Sequence, residues 1–472
     1  MSDLAYYVIC GILTLGVLAG IAMMSRVQLA VRGNALSALC TAAAILCTLY
    51  RYQILSDAAL WVCLGVGTAI GLAAAWRVQM ISMPQAVAML NGFGGAASAI
   101  VGALTLGVSG DAFTNTTAVL AVTVGLATFT GSLVAAGKLQ RLLSQKSVLL
   151  PNHGLLTNGC LLLTLFSMVA AIFTAGGGLY ATAVVGALAS ALFGVFFSIR
   201  VGGADMPITI SLLNSLSGVA GSIAGMAIGD PLLVAIGGIV GASGLLLTQI
   251  MCRAMNRSLP DILLGKTSAE KKKPASSATG GAVFDKASAE KRKDSAPPIE
   301  SAAAILKNAQ RVILVPGYGM AVAQAQNLVK QLADKLEADG KEVLYAIHPV
   351  AGRMPGHMNV LLAEVDVPYD QLLEMEEVNP RFEGCDAAVV IGANDVMNSA
   401  ANTAVDTPIY GMPVLDVEKA RHVIVCNYDL QPGYAGVENP IYQRENTTLL
   451  CGDAKDTLAS LLTAVSFTVD SH

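Results

Sequence analysis

"MPQAVAMLNGFGGAASAIVGAL", residues 83–104, runs apolar for most of a membrane thickness yet carries an amide, Asn91, near its middle. "MPITISLLNSLSGVAGSIAGMA", residues 206–227, repeats the arrangement at Asn214. The two stretches keep a constant offset: Met83-Pro84 with Met206-Pro207, Asn91 with Asn214, Gly95 with Gly218, Ala97 with Ala220. It extends backwards to Gly71 with Gly194 and Arg77 with Arg200. Two copies of one hairpin are expected, as is common in membrane transport folds. Eight residues past the opening Met is ~12 Å along a helix rising about 1.5 Å per residue, so both amides belong near mid-membrane.

Working outward, runs of about 20 residues, long enough to cross a bilayer, start near Leu4, Gly33, Ile54, Met83, Thr116, Leu155, Gly178, Met206 and Pro231. Nine helices follow. Basic residues in the connections fall mostly on one side: Arg26, Arg32, Arg77, Lys138, Arg141, Lys146, Arg200, Arg253 and Arg257, against Arg51 alone on the other. The positive-inside rule then puts the N-terminus outside and the C-terminal half in the cytoplasm. No cleavable leader stands out, because the run from Leu4 has no basic segment before it.

The chain is 54% hydrophobic and 13% charged, where soluble chains average about 25% charged. Charges are scarce up to Met251 and return at ordinary density from Lys266. Three parts are expected: a transmembrane domain over 1–257, a flexible linker over 258–305 rich in Lys, Ala, Ser, Gly and Pro, and a soluble domain over 306–472. The nine cysteines and five histidines show no metal-ligand spacing, so no metal site is expected.

In the last part the short β-rich runs "RVILVPG", "KEVLYAIH", "DAAVVIGAN" and "RHVIVCNY" alternate with helical stretches such as "VAQAQNLVKQLADKLEAD". That alternation is a doubly wound α/β pattern. Within "VILVPGYGMAVAQAQ" a strand ends at Gly317-Tyr318-Gly319-Met320-Ala321 and a helix follows, a turn suited to a pyrophosphate or to close backbone packing alone. An ordinary dinucleotide fingerprint places an acid at the end of the second strand; here that strand ends in His348.

Farther on stand "HPVAGRMPGHMNVLLAE", "VIGANDVMNSAA", "GMPVLDV", "GYAGVENPIY" and "LLCGDAK". In order and spacing these resemble the β subunits of proton-translocating NAD(P) transhydrogenases across essentially the whole chain. The resemblance implies a membrane all-α bundle of nine helices joined to a Rossmann-like domain that binds NADP(H) in a flipped orientation, which would account for the missing acid. It implies hydride exchange with NAD(H) on a partner α subunit, coupled to proton passage. It also implies a bacterial inner membrane, a dimer of heteromers in lipid, and no nucleic acid.

Carried over by motif, Gly317 to Ala321 and the run Val350, Ala351, Gly352, Arg353, Met354, Pro355 would face the pyrophosphate. Gly392, Ala393, Asn394, Asp395 and Val396 would line the nicotinamide, Asp395 linking cofactor state to protonation or capping a helix. Gly411, Met412, Asp453 and Ala454 are further contacts, and Gly433, Tyr434 and Ala435 would close over the nucleotide. In the bundle, Asn91, Asn214 and Asp205 would belong to the proton path or its mouth, or serve as helix–helix hydrogen bonds and an interfacial anion.

Two departures bear on this. The family's Lys, Arg and Ser that grip the 2′-phosphate are replaced by Asn427, Tyr428 and Asp429. That favours a free 2′-hydroxyl unless Arg444 or Lys455 compensates. Some members carry a titrating His at the position of Asn91; an Asn does not titrate at physiological pH, so Asn91 and Asn214 would pair with a partner's His or with ordered waters. A nucleotide-gated channel or transporter, and a variant subunit with NAD-type preference, are the alternative readings.

Overall fold

The computed structural model describes residues 2–24, 29–78, 82–108, 111–144, 147–202, 205–254, 259, 298–352, 356–405, 407, 409–433 and 435–465. The chain divides into two compact units, Met1–Ile250 and Met251–His472.

The first unit is helical: α1 (Asp3–Met24), α2 (Ala30–Arg51), α3 (Ala58–Arg77), α4 (Met83–Thr105), α5 (Ala112–Leu139), α6 (His153–Phe173), α7 (Gly177–Ile199), α8 (Met206–Ile228) and α9 (Pro231–Ala254). These nine, among the described residues, are long and apolar enough to cross a membrane. The third starts later than Ile54, because Ile54–Ser56 forms a separate short turn and the Asp57 carboxylate caps α3 at the Ala59 N–H. The fifth starts before Thr116, since Asp111 accepts the N–H groups of Phe113 and Thr114.

α5 is the central post, packed against α4, α6, α7 and α8. Small residues permit this, as in membrane helix pairs generally: a Cβ on Gly95 of α4 would lie 2.7 Å from the Gly125 carbonyl of α5. α1, α2 and α9 share a cluster of Tyr6, Cys10, Ala44 and Leu232, fastened by the Tyr6 hydroxyl on Asp230 at 3.2 Å. α3 buries none of its residues.

The second unit is a six-stranded parallel sheet with helices, consistent with a Rossmann-like fold: β1 (Arg311–Pro316), β2 (Glu342–Ile347), β3 (Leu372–Glu374), β4 (Ala387–Ile391), β5 (His422–Asn427) and β6 (Thr447–Cys451). The strand order is β3-β2-β1-β4-β5-β6. β1 and β4, at the reversal of winding, pair from Val312–Ala387 to Pro316–Ile391, and β4 is buried along its whole length, as parallel strands covered on both faces must be. The helix Pro298–Asn308 begins inside the stretch expected to be linker. It buries Ala302, Ala303 and Leu306 and packs on the helix Ala454–Ala464. Most of the rest of that stretch lies outside the described residues.

The expected single helix after the Gly-rich turn is two helices, Tyr318–Val322 and Gln326–Ala338. Gln324 breaks them apart with a left-handed φ of 51°, and the Ala325 N–H returns to the Met320 carbonyl at 3.0 Å.

Candidate functional site

In an open α/β sheet a ligand sits beyond the C-terminal strand ends, at the point where the winding reverses. Here that point lies between β1 and β4, and two turns meet at it. The Gly317 N–H donates to the Ile391 carbonyl and the Gly319 N–H to the Gly392 carbonyl, each at 2.8 Å. The crossing leaves no room for side chains: a Cβ on Gly319 would stand 2.6 Å from the Gly392 Cα. Gly392 itself has φ +66°, which glycine adopts without strain. These two glycine amides therefore serve the backbone crossing and are not offered to a phosphate.

The loop after β5 is tied down over the β4 turn. The Ala435 N–H donates to Asp395 Oδ2 at 3.0 Å. Asn394 Nδ2 donates to the Gln431 carbonyl at 2.9 Å, and Asn398, fully buried, donates to the carbonyls of Val437 and Glu438. Gly433 lies so close that a Cβ would sit 2.5 Å from Asp395 Oδ1. Asp395 thus fastens a loop, where sequence reasoning also considered it as a helix cap. Val396 fixes the next turn, its carbonyl accepting from the Leu415 N–H at 2.9 Å.

The remaining expected residues gather at the same edge. After β2, the His348 ring accepts the Val350 N–H at Nδ1 (3.2 Å) and meets the Pro413 carbonyl at Nε2 (2.9 Å), which sets its tautomer. Burial pushes its pKa down to about 4. This ring ties the 350–352 turn to the Gly411-Met412-Pro413 segment. Ala351 is buried, and Gly352, at φ +110°, abuts His357. The Tyr318 ring lies 6.5 Å from that of His357. After β6, Asp453 caps the last helix at the Lys455 N–H (2.9 Å), with Ala454 buried behind it. Arg353, Met354, Pro355 and Tyr434 lie outside the described residues.

After β5 the three residues part ways. Asn427 turns inward, its Nδ2 donating to the Ala393 carbonyl (2.9 Å) and the Tyr442 hydroxyl (3.0 Å). Tyr428 is exposed. Asp429 is exposed and accepts the Gln431 N–H at 3.0 Å. Burial, with the Asp395 and Asp429 carboxylates nearby, pushes the Tyr442 phenol up to about 12.

In the membrane unit Asn91 is buried and reaches the Ile210 carbonyl of α8 at 3.5 Å, so α4 and α8 are joined through one of the two amides. Asn214 is half-buried on α8. Asp205, buried, opens α8, its carbonyl accepting from the Thr209 N–H. Sequence reasoning missed two neighbours. Ser132 of α5 is fully buried against Gly92, the residue after Asn91: a Cβ placed on Gly92 would stand 3.2 Å from the Ser132 Cβ. The Ser132 hydroxyl has no partner among the described residues. Lys138, expected in a connection, lies within α5 and is buried, its Nζ donating to the carbonyls of Ile199 and Val201. Arg200 is likewise buried, over the Phe197 ring. The available signal was a lysine at the end of a long apolar run, Ala112–Leu139.

Among the described residues no group of three or more His, Cys, Asp or Glu could hold a metal ion. Residues 5–464 match the family model of the NAD(P) transhydrogenase beta subunit. Two relatives, both NAD(P) transhydrogenase subunit beta from Rhodospirillum rubrum and one of them from a designated strain, are each 43% identical over 473 aligned positions. Each match covers 98% of this chain and 99% of the relative.

Proposed function

Because this chain belongs to the NAD(P) transhydrogenase beta subunit family, we propose that its sheet domain holds NADP(H) at the C-terminal strand edge while its helices conduct protons for a complex whose α subunit carries NAD(H). It is an integral membrane subunit of an oxidoreductase. When bound, the nicotinamide supplies or accepts the hydride; this chain's residues position and enclose it. The 317–321 and 350–352 turns lie along the pyrophosphate, Gly392 to Val396 along the nicotinamide, and Gly411, Met412, Asp453 and Ala454 complete the wall. Gly433 and Ala435 close the site, held at Asp395 by the Ala435 N–H.

The observation that carries this reading is the crossing of the two glycine turns at the winding reversal, with Asp395 bonded to the closing loop. An ionised carboxylate is the stronger acceptor for the Ala435 N–H. Protonating Asp395 therefore loosens the loop, a local route from proton to nucleotide release. In the bundle, Asn91, Ser132 and Asn214 hydrate a path that Asp205 opens at the cytoplasmic side. His153, the one histidine in the first 257 residues, sits at the end of α6 with both ring nitrogens engaged by Leu150 and Phe196. A histidine of the path would then come from the partner, whose further membrane helices adjoin this bundle in a dimer of heteromers.

The excess of Arg32, Arg77, Arg141 and Arg253 at one set of helix ends over Arg51 at the other supports the reading of the sheet domain as cytoplasmic, with the bundle in a bacterial inner membrane.

The test is to assay reduction of a nucleotide analogue by NADPH, using the purified chain with and without its α subunit. Turnover is expected only with the partner present. Turnover by the lone chain would show that a second nucleotide site exists here.

A further inference from the structure

A doubly wound sheet consists of two mononucleotide-binding halves, and a dinucleotide across the reversal lays one ribose over each. The halves here are β1–β3 and β4–β6. In the ordinary arrangement an acid at the end of β2 receives the adenosine ribose hydroxyls. This chain has no acid there: β2 runs into His348, whose ring is engaged by Val350 and Pro413.

The position equivalent to the end of β2 in the second half is the end of β5, and there an acid is present. Asp429 stands two residues past the strand, exposed, its Oδ1 accepting the Gln431 N–H at 3.0 Å. Asn427 locks the strand end beneath it through Ala393 and Tyr442. The carboxylate is therefore held on an anchored turn.

Among the described residues, the cations do not favour a phosphate at this place. Arg444 is bonded to the Glu418 carboxylate (3.2 Å) and carbonyl (3.0 Å). It precedes β6, so it lies at the opposite edge of the sheet. Lys419 precedes β5 and pairs with Asp416 and Glu383. Lys455, in the first turn after β6, is on the correct edge, but it shares that edge with Asp395, Asp429 and Asp453, the acids following β4, β5 and β6. A 2′-phosphate calls for paired cations; a ribose diol calls for an acceptor.

We propose that Asp429 determines nucleotide specificity by accepting the 2′-hydroxyl of the adenosine ribose, so that this chain binds NAD(H) at least as tightly as NADP(H). This rests on the reading of the C-terminal strand edge as the nucleotide site. Two like charges about 4 Å apart repel strongly enough, even after solvent screening, to weaken 2′-phosphate binding by roughly thirtyfold.

The experiment titrates the purified full-length chain in detergent with NADH and with NADPH, following the fluorescence of the reduced nicotinamide. NADH is expected to bind as tightly as NADPH or tighter. Asp429→Ser is expected to raise NADPH affinity by about tenfold, and Tyr428→Arg with Asp429→Ser by about thirtyfold, while NADH affinity falls a few-fold as the ribose loses its acceptor. NADPH binding more than tenfold tighter than NADH by the unmutated chain, or variants that leave the ratio unchanged, would overturn the assignment of Asp429. Binding of neither nucleotide would instead overturn the reading of the whole edge, and this inference with it.

Discussion

The two units of this chain handle buried polar groups in opposite ways. In the helical unit the functional candidates are side chains turned inward onto carbonyls of neighbouring helices: Asn91 on Ile210, Lys138 on Ile199 and Val201. In the sheet unit the site is chiefly backbone, with two glycine turns crossing at bonds of 2.8 Å and a loop hung from Asp395. The first kind of site tolerates loss of a partner at the cost of one or two hydrogen bonds. The second has no space to give. Substitutions should therefore be more damaging in the turns than in the bundle.

The largest effect is expected at the crossing. Gly319→Val puts two methyl groups where even a Cβ meets the Gly392 backbone. Overpacking and backbone displacement together should cost about 3–4 kcal/mol and remove nucleotide binding. Hydrogen-exchange protection of β1 and β4 measures the first effect, and fluorescence titration the second. If Gly319→Val binds nucleotide normally, the crossing is looser than these contacts imply.

Lys138→Met should cost less, about 2 kcal/mol, because two buried carbonyls lose a charged donor while the methylene packing survives. Thermal unfolding of the helical unit should shift, with nucleotide affinity unchanged. A matching loss of affinity would mean that the units are not energetically separate at this point.

A smaller, pH-dependent effect is expected at His348. Its folded pKa of about 4 lies below the ordinary value of 6.5, so the unfolded chain binds the extra proton between those limits. The stabilisation is full above about pH 6.5 and is lost as pH falls towards 4, amounting to about 2 kcal/mol between pH 7 and 5. Exchange protection of β2 and the 350–352 turn should weaken over that range in the native chain. It should weaken much less in His348→Gln, which keeps a neutral polar group there.

What could be read in advance follows from the same contrast. Polar residues in apolar runs announce themselves, so Asn91, Asn214 and all nine spans were legible from hydropathy and the repeat. Their surroundings were not. The repeat equates α3 with α7, yet α7 buries Gly194 and Ser190 against its neighbours while α3 buries nothing. Local sequence specifies a helix, whereas burial depends on which other helices arrive.

The sheet and its strand ends were likewise visible as β-rich runs, and the glycines marked the turns. That Gly317 and Gly319 give their N–H groups to Ile391 and Gly392, that Asn427 faces inward, and that Arg444 lies at the far edge all depend on long-range register. Nothing within one segment signals it. The break at Gln324 was hidden because its left-handed φ falls on a residue with no turn preference.

The central claim is that the helical unit moves protons and the sheet unit holds nucleotide, so that a change in one can silence coupling and leave the other's binding intact. The most direct measurement uses Asn214→Leu in the complex with the α subunit. Proton uptake into sealed vesicles and nucleotide affinity are read on the same preparation. The expected result is proton movement reduced at least tenfold with NADPH and NADH affinities unchanged. Proton movement at the unmutated rate would contradict the claim, leaving Asn214 as packing alone.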